Sequence, residues 1–332
     1  MSQNYRILLY YKFNPIENPE EFTKKHLELC KSMNLKGRIL ISHEGINGTC
    51  SGTIEETNKY MEAIKSIPGF EDTHFKIDPS ESHAFPKLHV KHRKSIITLL
   101  PEDDVNPNEI VGTYLKPKEF YEMLQEDDVL VIDGRNDYEY EIGHFRNAIK
   151  PKIKNFKEFP KWIDETIADK KEKKILTCCT GGIRCEKLTG VLLNKGFKDV
   201  YHLAGGIVTY GKDEEVQGRL WDGKCYVFDN RISVPINRTD EDVVISHCSH
   251  CHAPSDRYIN CRNDNCHSQF ICCESCEENS EGFCSKECKD YIAEHPERDS
   301  YLRLEKKIKM YEGYGQNHEK YQQTLSELQE KH

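Results

Sequence analysis

The segment with the clearest chemical potential is Cys179-Thr180-Gly181-Gly182-Ile183-Arg184. It follows a short apolar run typical of a strand, and the residues after it have the apolar spacing of a helix. Two glycines let consecutive backbone N–H groups turn toward one sulfur, and the helix N-terminus adds positive potential. With Arg184 close by, we expect the pKa of the Cys179 thiol to fall from about 8.5 toward neutrality, which would make it a reactive thiolate.

Two further cysteines flank this loop. Cys178 directly precedes it, but a loop that began at Cys178 would be one residue too long, so the register favours Cys179. Cys185 stands at the start of the following helix, where it is either a resolving thiol or a structural residue. The alternative for Cys179 itself is a buried cysteine beside a tight turn.

A second group of cysteines lies between Val244 and Asp290. Four close pairs, with Cys272 left over, predict two structural zinc ions, because each tetrahedral site needs four ligands and a short-spaced pair supplies two. We favour interleaved pairing, first with third and second with fourth, over pairing of neighbours. Alternatives are an iron–sulfur cluster and substitution by His247, His250, His252 or His267. The predicted ligands are Cys248, Cys251, Cys261, Cys266, Cys273, Cys276, Cys284 and Cys288.

The composition limits the class of protein. A chain of 332 residues with 37% apolar and 31% charged residues has room for two to three domains. It has no N-terminal apolar stretch after a basic segment and no run long enough for a membrane helix, which predicts a cytoplasmic protein without a membrane partner. Fifteen cysteines without a secretion signal favour metal or redox chemistry over disulfides. The net charge of −9 argues against indiscriminate nucleic-acid binding, and we expect no DNA partner.

Strand and helix patterns in residues 1–98 follow one another in the order βαββαβ, which predicts a ferredoxin-like (acylphosphatase-like) α+β domain. Asn18-Pro19-Glu20-Glu21 and Thr53-Ile54-Glu55-Glu56 have the signatures of helix starts. We expect His43 to Gly48 to connect the second and third strands. Residues 99–112 are acidic and contain prolines, which is typical of a linker.

Three segments in residues 113–215 resemble a rhodanese domain. They are Val129 to Asn136 with the residues that follow it to Ala148, the Cys179 loop, and His202 to Ile207. The resemblance implies an α/β fold with a central parallel sheet and a persulfide-carrying Cys179. It also implies a salt-bridging role for Asp133, Arg135 and Glu139, which is either structural or catalytic. We assign residues 216–243 to a connecting segment, 244–292 to the zinc-binding segment and 293–332 to a charged tail that is helical or disordered.

The chain as a whole resembles the bacterial tRNA uridine hydroxylase family. The resemblance rests on Gly37 to Thr49, Cys179 to Lys187, Phe228 to Arg231 and the cysteine-rich segment, in that order. It implies hydroxylation of the wobble uridine, position 34 of tRNA, to 5-hydroxyuridine, with molecular oxygen as co-substrate and no flavin or haem. The implied catalytic residues are Cys179, Arg184 and Cys185, with the loop backbone of Thr180, Gly181, Gly182 and Ile183.

The basic stretch from Lys87 to Lys94 could contact tRNA. The anticodon loop of tRNA is single-stranded, so its bases can be splayed out toward a protein. The alternative for the stretch is a solvated edge strand, and for Glu44 and Asn47 a pair of turn residues. Two other functions use the same sequence: a persulfide sulfurtransferase acting on tRNA or a small acceptor, and a zinc-bearing RNA-binding or scaffold module. The candidate RNA-binding residues are Lys87, Lys91, His92, Arg93, Lys94, Glu44 and Asn47.

Overall fold

The computed structural model describes residues 4–302 of the chain. They divide into two compact units, with the boundary between Val243 and Val244. Of the tail expected at 293–332, the part from residue 303 onward lies outside the described residues. Within residues 4–302, no helix has both the length and the apolar character needed to cross a membrane.

The N-terminal domain has the predicted ferredoxin-like βαββαβ order, followed by one additional strand at the sheet edge. Its elements are β1 (Tyr5–Phe13), α1 (Pro19–Ser32), β2 (Lys36–Ser42), β3 (Gly45–Thr53), α2 (Ile54–Lys65), β4 (Lys76–Ser80) and β5 (Leu88–His92). The sheet order is β4-β1-β3-β2-β5, antiparallel except that β5 runs parallel to β2 at the edge. Alternate residues such as Leu8, Tyr10 and Ile39 form a core with residues of both helices.

Local signals place the ends of these elements. The Asn18 side chain caps α1 by accepting the Glu21 N–H, and Thr53 and Glu56 form the reciprocal capping box of α2. The expected connection from His43 to Gly48 was wrong, because β3 already begins at Gly45 and pairs there with Ser42. Only His43 and Glu44 therefore separate β2 from β3.

The rhodanese-like part is built on a parallel sheet in the order β6-β10-β9-β7. Ile175 and Leu176, adjacent on β9, belong to cores on opposite faces of this sheet. A second, antiparallel sheet has the order β12-β11-β8. The elements are β6 (Thr113–Leu115), α3 (Pro117–Met123), β7 (Val129–Asp133), α4 (Asp137–Ile142), β8 (Gly143–Phe145), α5 (Phe159–Thr166), β9 (Lys174–Cys178), α6 (Ile183–Asn194), β10 (Val200–Leu203), α7 (Gly206–Lys212), β11 (Trp221–Tyr226) and β12 (Ser233–Pro235).

Two segments that we expected to be connections also pack into this domain. In the 99–112 segment, Leu99 and Val105 are buried in the core beside α6. In the 216–243 segment, β11 pairs with β8, and Trp221 packs edge-on against Phe145. In β11 the buried residues Trp221, Gly223 and Cys225 alternate as in a strand, so this element could have been predicted from the sequence, whereas the 99–112 segment has no such alternation.

The second unit is small and contains short elements: β13 (Tyr258–Asn260), β14 (Gln269–Ile271), α8 (Glu274–Ser280) and α9 (Lys286–Glu294). β13 and β14 form an antiparallel pair. Its apolar core contains Ile259, Phe270, Phe283 and Ile292 together with cysteines. So few apolar side chains give little hydrophobic stabilisation on their own.

Candidate active site and metal centres

The Cys179 loop joins β9 to α6. Gly182 is the N-cap residue of α6 and has a left-handed backbone conformation, with φ of 101°, which residues other than glycine rarely adopt. In this conformation its N–H donates to Cys179 Sγ at 3.1 Å. The glycine therefore directs a backbone donor toward the sulfur, as its place in the sequence predicts.

The environment of Cys179 favours the thiolate. Burial by itself would raise the pKa of this thiol. A hydrogen bond from Cys185, the charge of Arg184 and the backbone N–H groups of residues 184 and 185 outweigh burial and lower the pKa to about 6. The sulfur is therefore mainly ionised at neutral pH, which makes it a nucleophile.

The neighbouring cysteines have the opposite property. Burial raises the pKa of Cys178 well above its usual value, and Cys178 packs in the core on one face of the sheet. Burial and the adjacent Cys179 sulfur likewise raise the pKa of Cys185. Cys179 is therefore the thiolate of this group, and Cys185 stays protonated and donates to it.

Buried ion pairs support the loop. Arg184 makes a two-pronged contact with Glu139, at 2.6 and 2.8 Å. Despite burial, the charge of Arg184 keeps the pKa of Glu139 below its usual value. Arg135 and Asp133 form a second pair with both side chains fully buried, and Arg135 also donates to the Gly143 carbonyl at 2.6 Å. All three residues expected to form salt bridges do so, and Glu139 fixes the cation beside the sulfur.

The N-terminal domain covers the loop, which sequence reasoning missed. A side-chain carbon on Gly181 would lie 3.1 Å from Leu9, and one on Gly182 would lie 2.9 Å from the Tyr11 hydroxyl. Tyr11 donates a 2.7 Å hydrogen bond to Glu186 on α6. Leu9 and Tyr11 are alternate residues of β1, on the sheet face opposite to the one that packs against α1 and α2.

A cavity of about 490 Å³ lies near the loop, but none of residues 179–184 lines it, and Cys179 itself is only 1% exposed. The N-terminal domain contributes Tyr11 and Lys76, and the rhodanese-like domain contributes Tyr114 and Glu186. Glu186 accepts hydrogen bonds from both tyrosine hydroxyls, and burial raises its pKa. Glu186 belongs to the segment Cys179 to Lys187, on which the family resemblance partly rests. Nothing in the sequence indicated that Lys76, Tyr11 or Tyr114 would lie close to it.

The basic residues proposed for RNA contact lie on and beside β5. Lys87, Lys91, His92, Arg93 and Lys94 are all exposed, and β5 is an edge strand that pairs with β2. Four of them have no ion pair among the residues that the structure describes, and His92 lies 3.8 Å from Glu20.

The other two candidates for RNA contact are placed differently. Asn47 lies within β3, in register with Tyr11 on one side and Leu40 on the other, and not in a turn. Glu44 is in the two-residue turn, where its carboxylate forms an ion pair with the buried Lys187 at 2.7 Å and accepts the Ile96 N–H. Lys187 also binds Asp104 at 2.7 Å, so this ion-pair cluster ties the β2–β3 turn to α6.

The second unit contains two clusters of four cysteines. Within each cluster all the sulfurs lie within 4.8 Å of one another. Sulfur–sulfur distances of 3.6 to 3.7 Å within the clusters match the roughly 3.8 Å edge of a tetrahedron with 2.3 Å metal–sulfur bonds. The predicted interleaving is confirmed, and the clusters can hold metal ions. The clusters are Cys248, Cys251, Cys273 and Cys276, and Cys261, Cys266, Cys284 and Cys288.

Cys272 takes no part in either cluster. It is fully buried in the core of the second unit, and its thiol contacts the carbonyl of Cys273 at 3.5 Å. None of the four candidate histidines belongs to a cluster among the described residues.

Family models match three parts of the chain. A UPF0176 acylphosphatase-like domain matches residues 5–96, a rhodanese-like domain matches residues 116–213, and a rhodanese C-terminal model matches residues 222–289. These matches agree with the fold described above.

Curated relatives match nearly the whole chain. A tRNA uridine(34) hydroxylase of Bacillus licheniformis is 55% identical over 92% of this chain and 97% of its own length. Proteins with the same name from Bacillus cytotoxicus and Bacillus mycoides are 55% and 54% identical, each over 88% of this chain and over 91% and 92% of their own lengths.

Proposed function

Because this chain belongs to the tRNA uridine(34) hydroxylase family, we propose that it hydroxylates the wobble uridine of tRNA to 5-hydroxyuridine, with molecular oxygen as co-substrate. The observation that carries the proposal is the Cys179 thiolate, with its pKa near 6, in a loop that Leu9 and Tyr11 contact, while Tyr11 also lines the nearby cavity. Arg184 stabilises the thiolate, Cys185 donates a hydrogen bond to it, and the backbone of residues 180–183 shapes the loop. The enzyme would act in the cytoplasm, without flavin or haem.

We assign tRNA contact to the edge of the N-terminal sheet. Lys87, Lys91, His92, Arg93 and Lys94 supply exposed positive charge along β5 that can neutralise phosphates of the anticodon loop. Asn47 lies between this edge and Tyr11, because it is opposite Leu40 of β2 on one side and opposite Tyr11 of β1 on the other. The Glu44 carboxylate is already bound by Lys187, so its contribution would be to hold the β2–β3 turn in place.

We propose that the two cysteine clusters each hold a structural zinc ion. Four thiolates at tetrahedral spacing are the usual ligands of structural zinc. When bound, the metal would supply the folding free energy that the small apolar core lacks. No step of the reaction is assigned to these ions.

The experiment is to compare tRNA from a strain without this gene with tRNA from strains carrying the wild-type or the Cys179→Ala gene. Nucleosides are measured by mass spectrometry. We expect 5-hydroxyuridine or its derivatives at position 34 to disappear and to return only with the wild-type gene. Unchanged hydroxylation with loss of a thiolated nucleoside would instead support a sulfurtransferase, because a persulfide on Cys179 would use the same loop.

A further inference from the structure

Lys76 is an unusual residue in this site. It is 8% exposed, it begins β4, and it lines the cavity near the loop. Its ammonium lies 4.9 Å from the centre of the Tyr11 ring, and within residues 4–302 no carboxylate lies at ion-pair distance from it. Burial of an ammonium without an ion pair lowers the stability of the folded protein. Its position near the Cys179 thiolate therefore points to a ligand that binds it.

The surrounding charges explain why Lys76 has no ion pair. Asp78 lies on the same strand but is bound by Arg231, at 2.8 Å, and by Lys212. The Glu186 carboxylate is occupied by two tyrosine hydroxyls. Burial lowers the pKa of Lys76 to about 8, opposed by the negative charges of Cys179 and Glu186 and assisted by Lys212. The nearby His74 also faces the cavity.

Aromatic rings border the same space. Tyr114 is 51% exposed although its hydroxyl is held by Glu186, and its ring lies against His202 with 4.1 Å between ring centres. His202 is buried, and burial lowers its pKa to about 4, so it is a neutral support for the ring. An exposed aromatic face held in position is suited to stacking a nucleobase.

We propose that this cavity receives the uracil ring of the target uridine, that Tyr114 stacks on the ring, and that the Lys76 ammonium binds its O4 while the Cys179 thiolate adds to C6. The proposal rests on the proposed function and names the substrate contacts of that same site. Since Tyr11 and Leu9 cover the loop, their side chains move aside when the ring reaches the sulfur. A cationic donor also favours the O4 of uracil over the amino group of cytosine.

The chemistry of this step is balanced without an oxidant. The sulfur–C6 bond forms, the C5–C6 π bond breaks, and the electron pair moves to O4 as an enolate that Lys76 stabilises. Water then protonates C5. Reversal removes either C5 hydrogen and expels the thiolate, so the C5 hydrogen of uridine exchanges with solvent and the base is otherwise unchanged.

The test uses the full-length protein and tRNA with tritium at C5 of uridine 34, incubated without oxygen. We expect the wild-type protein to release tritium to water, Cys179→Ala to release none, and Lys76→Met to release it at least about tenfold more slowly. Lys198→Met, an exposed lysine paired with Glu172, is the matched control and should behave as wild type. Circular dichroism and metal content check that each variant is folded.

The pH profile separates a substrate contact from a structural role. Release should rise through about pH 6 as Cys179 ionises and fall through about pH 8 as Lys76 loses its proton. In Lys76→Arg the guanidinium keeps its charge, so activity should return in part and the fall should move to higher pH. An unshifted profile in Lys76→Arg, or wild-type release by Lys76→Met, would overturn the role of Lys76.

The two proposals fail in distinguishable ways. If the wild-type protein hydroxylates tRNA in cells but releases no tritium without oxygen, the addition step is wrong and the proposed function stands. If tRNA hydroxylation in cells does not depend on the gene, the proposed function itself fails.

Discussion

The Cys179 loop and the cysteine-rich unit use the same amino acid in opposite ways. At the loop, three cysteines are close together, yet one sulfur is ionised while Cys178 and Cys185 are held as thiols. In the second unit, cysteines are placed in fours with their sulfurs within 4.8 Å of one another. Single thiolates are stabilised by fixed donors and a cation, whereas four adjacent thiolates repel one another unless a metal ion is bound.

The difference shows how the surroundings decide cysteine chemistry. Around Cys179 the protein supplies the positive potential through Arg184, the Gly182 N–H and the start of α6. Around the clusters this charge would come from a metal, and the same metal would hold short elements together. Loss of a cysteine should therefore affect catalysis in one region and folding in the other.

The largest expected effect is that of Cys179→Ala. Removing the nucleophile should lower tRNA hydroxylation on the order of 10³-fold or more, with little change in the melting temperature. The measurement is nucleoside mass spectrometry of tRNA after incubation with purified protein. Cys178→Ala is the matched control, because it removes an adjacent thiol that is buried in the core. Cys178→Ala should be less stable but active. Loss of activity in Cys178→Ala and not in Cys179→Ala would show that the reactive thiolate is Cys178.

Cys251→Ser should act on folding instead. Replacing one ligand leaves a cluster of three thiols, so the metal bound per chain should fall from two ions to one, as measured by elemental analysis. The thermal transition of the second unit should weaken or disappear. Cys272→Ala, which changes a buried cysteine outside both clusters, should keep both ions. Equal metal content in the two variants would contradict the assignment of the clusters.

Much of this comparison could be predicted from the sequence, since it rests on local spacing. The loop glycines, the four cysteine pairs and the capping residues Asn18 and Thr53 act within a few positions of one another. Short-range geometry of this kind is determined by residue type and order. The fold class follows similarly from the alternation of strand and helix patterns.

Long-range contacts could not be predicted. Tyr11 and Glu186 are far apart in the sequence, and only the packing of one domain on another brings them to 2.7 Å. Lys76 resembles any lysine of a short strand until its burial is known. Leu99 was missed for the same reason, because the short apolar run Ile96 to Leu100 does not show which part of the chain it packs against.

The pH dependence of thiol modification should distinguish the two regions. The rate at which iodoacetamide modifies Cys179 follows its thiolate fraction and should rise about tenfold between pH 5 and pH 7 for a pKa near 6. Metal-bound thiolates in the second unit should react slowly at neutral pH and quickly only after a chelator is added. Mass spectrometry of modified peptides reports both regions in one sample. A Cys179 rate that keeps rising to pH 9 would show that its pKa is not lowered.

The smallest effect, and the most specific, is expected for Arg184→Gln. Without the guanidinium, burial of Cys179 is less well compensated, and its pKa should rise by about one to two units. The thiolate fraction at pH 7 would then fall from about nine-tenths to between a half and a tenth, which the iodoacetamide rate measures. Arg184→Lys keeps the charge but loses the two-pronged contact with Glu139, so its pKa should lie between those of the wild type and Arg184→Gln. If both variants kept the wild-type pKa, the backbone donors alone would account for the thiolate, and the positive charge of the side chain would not be needed in this loop.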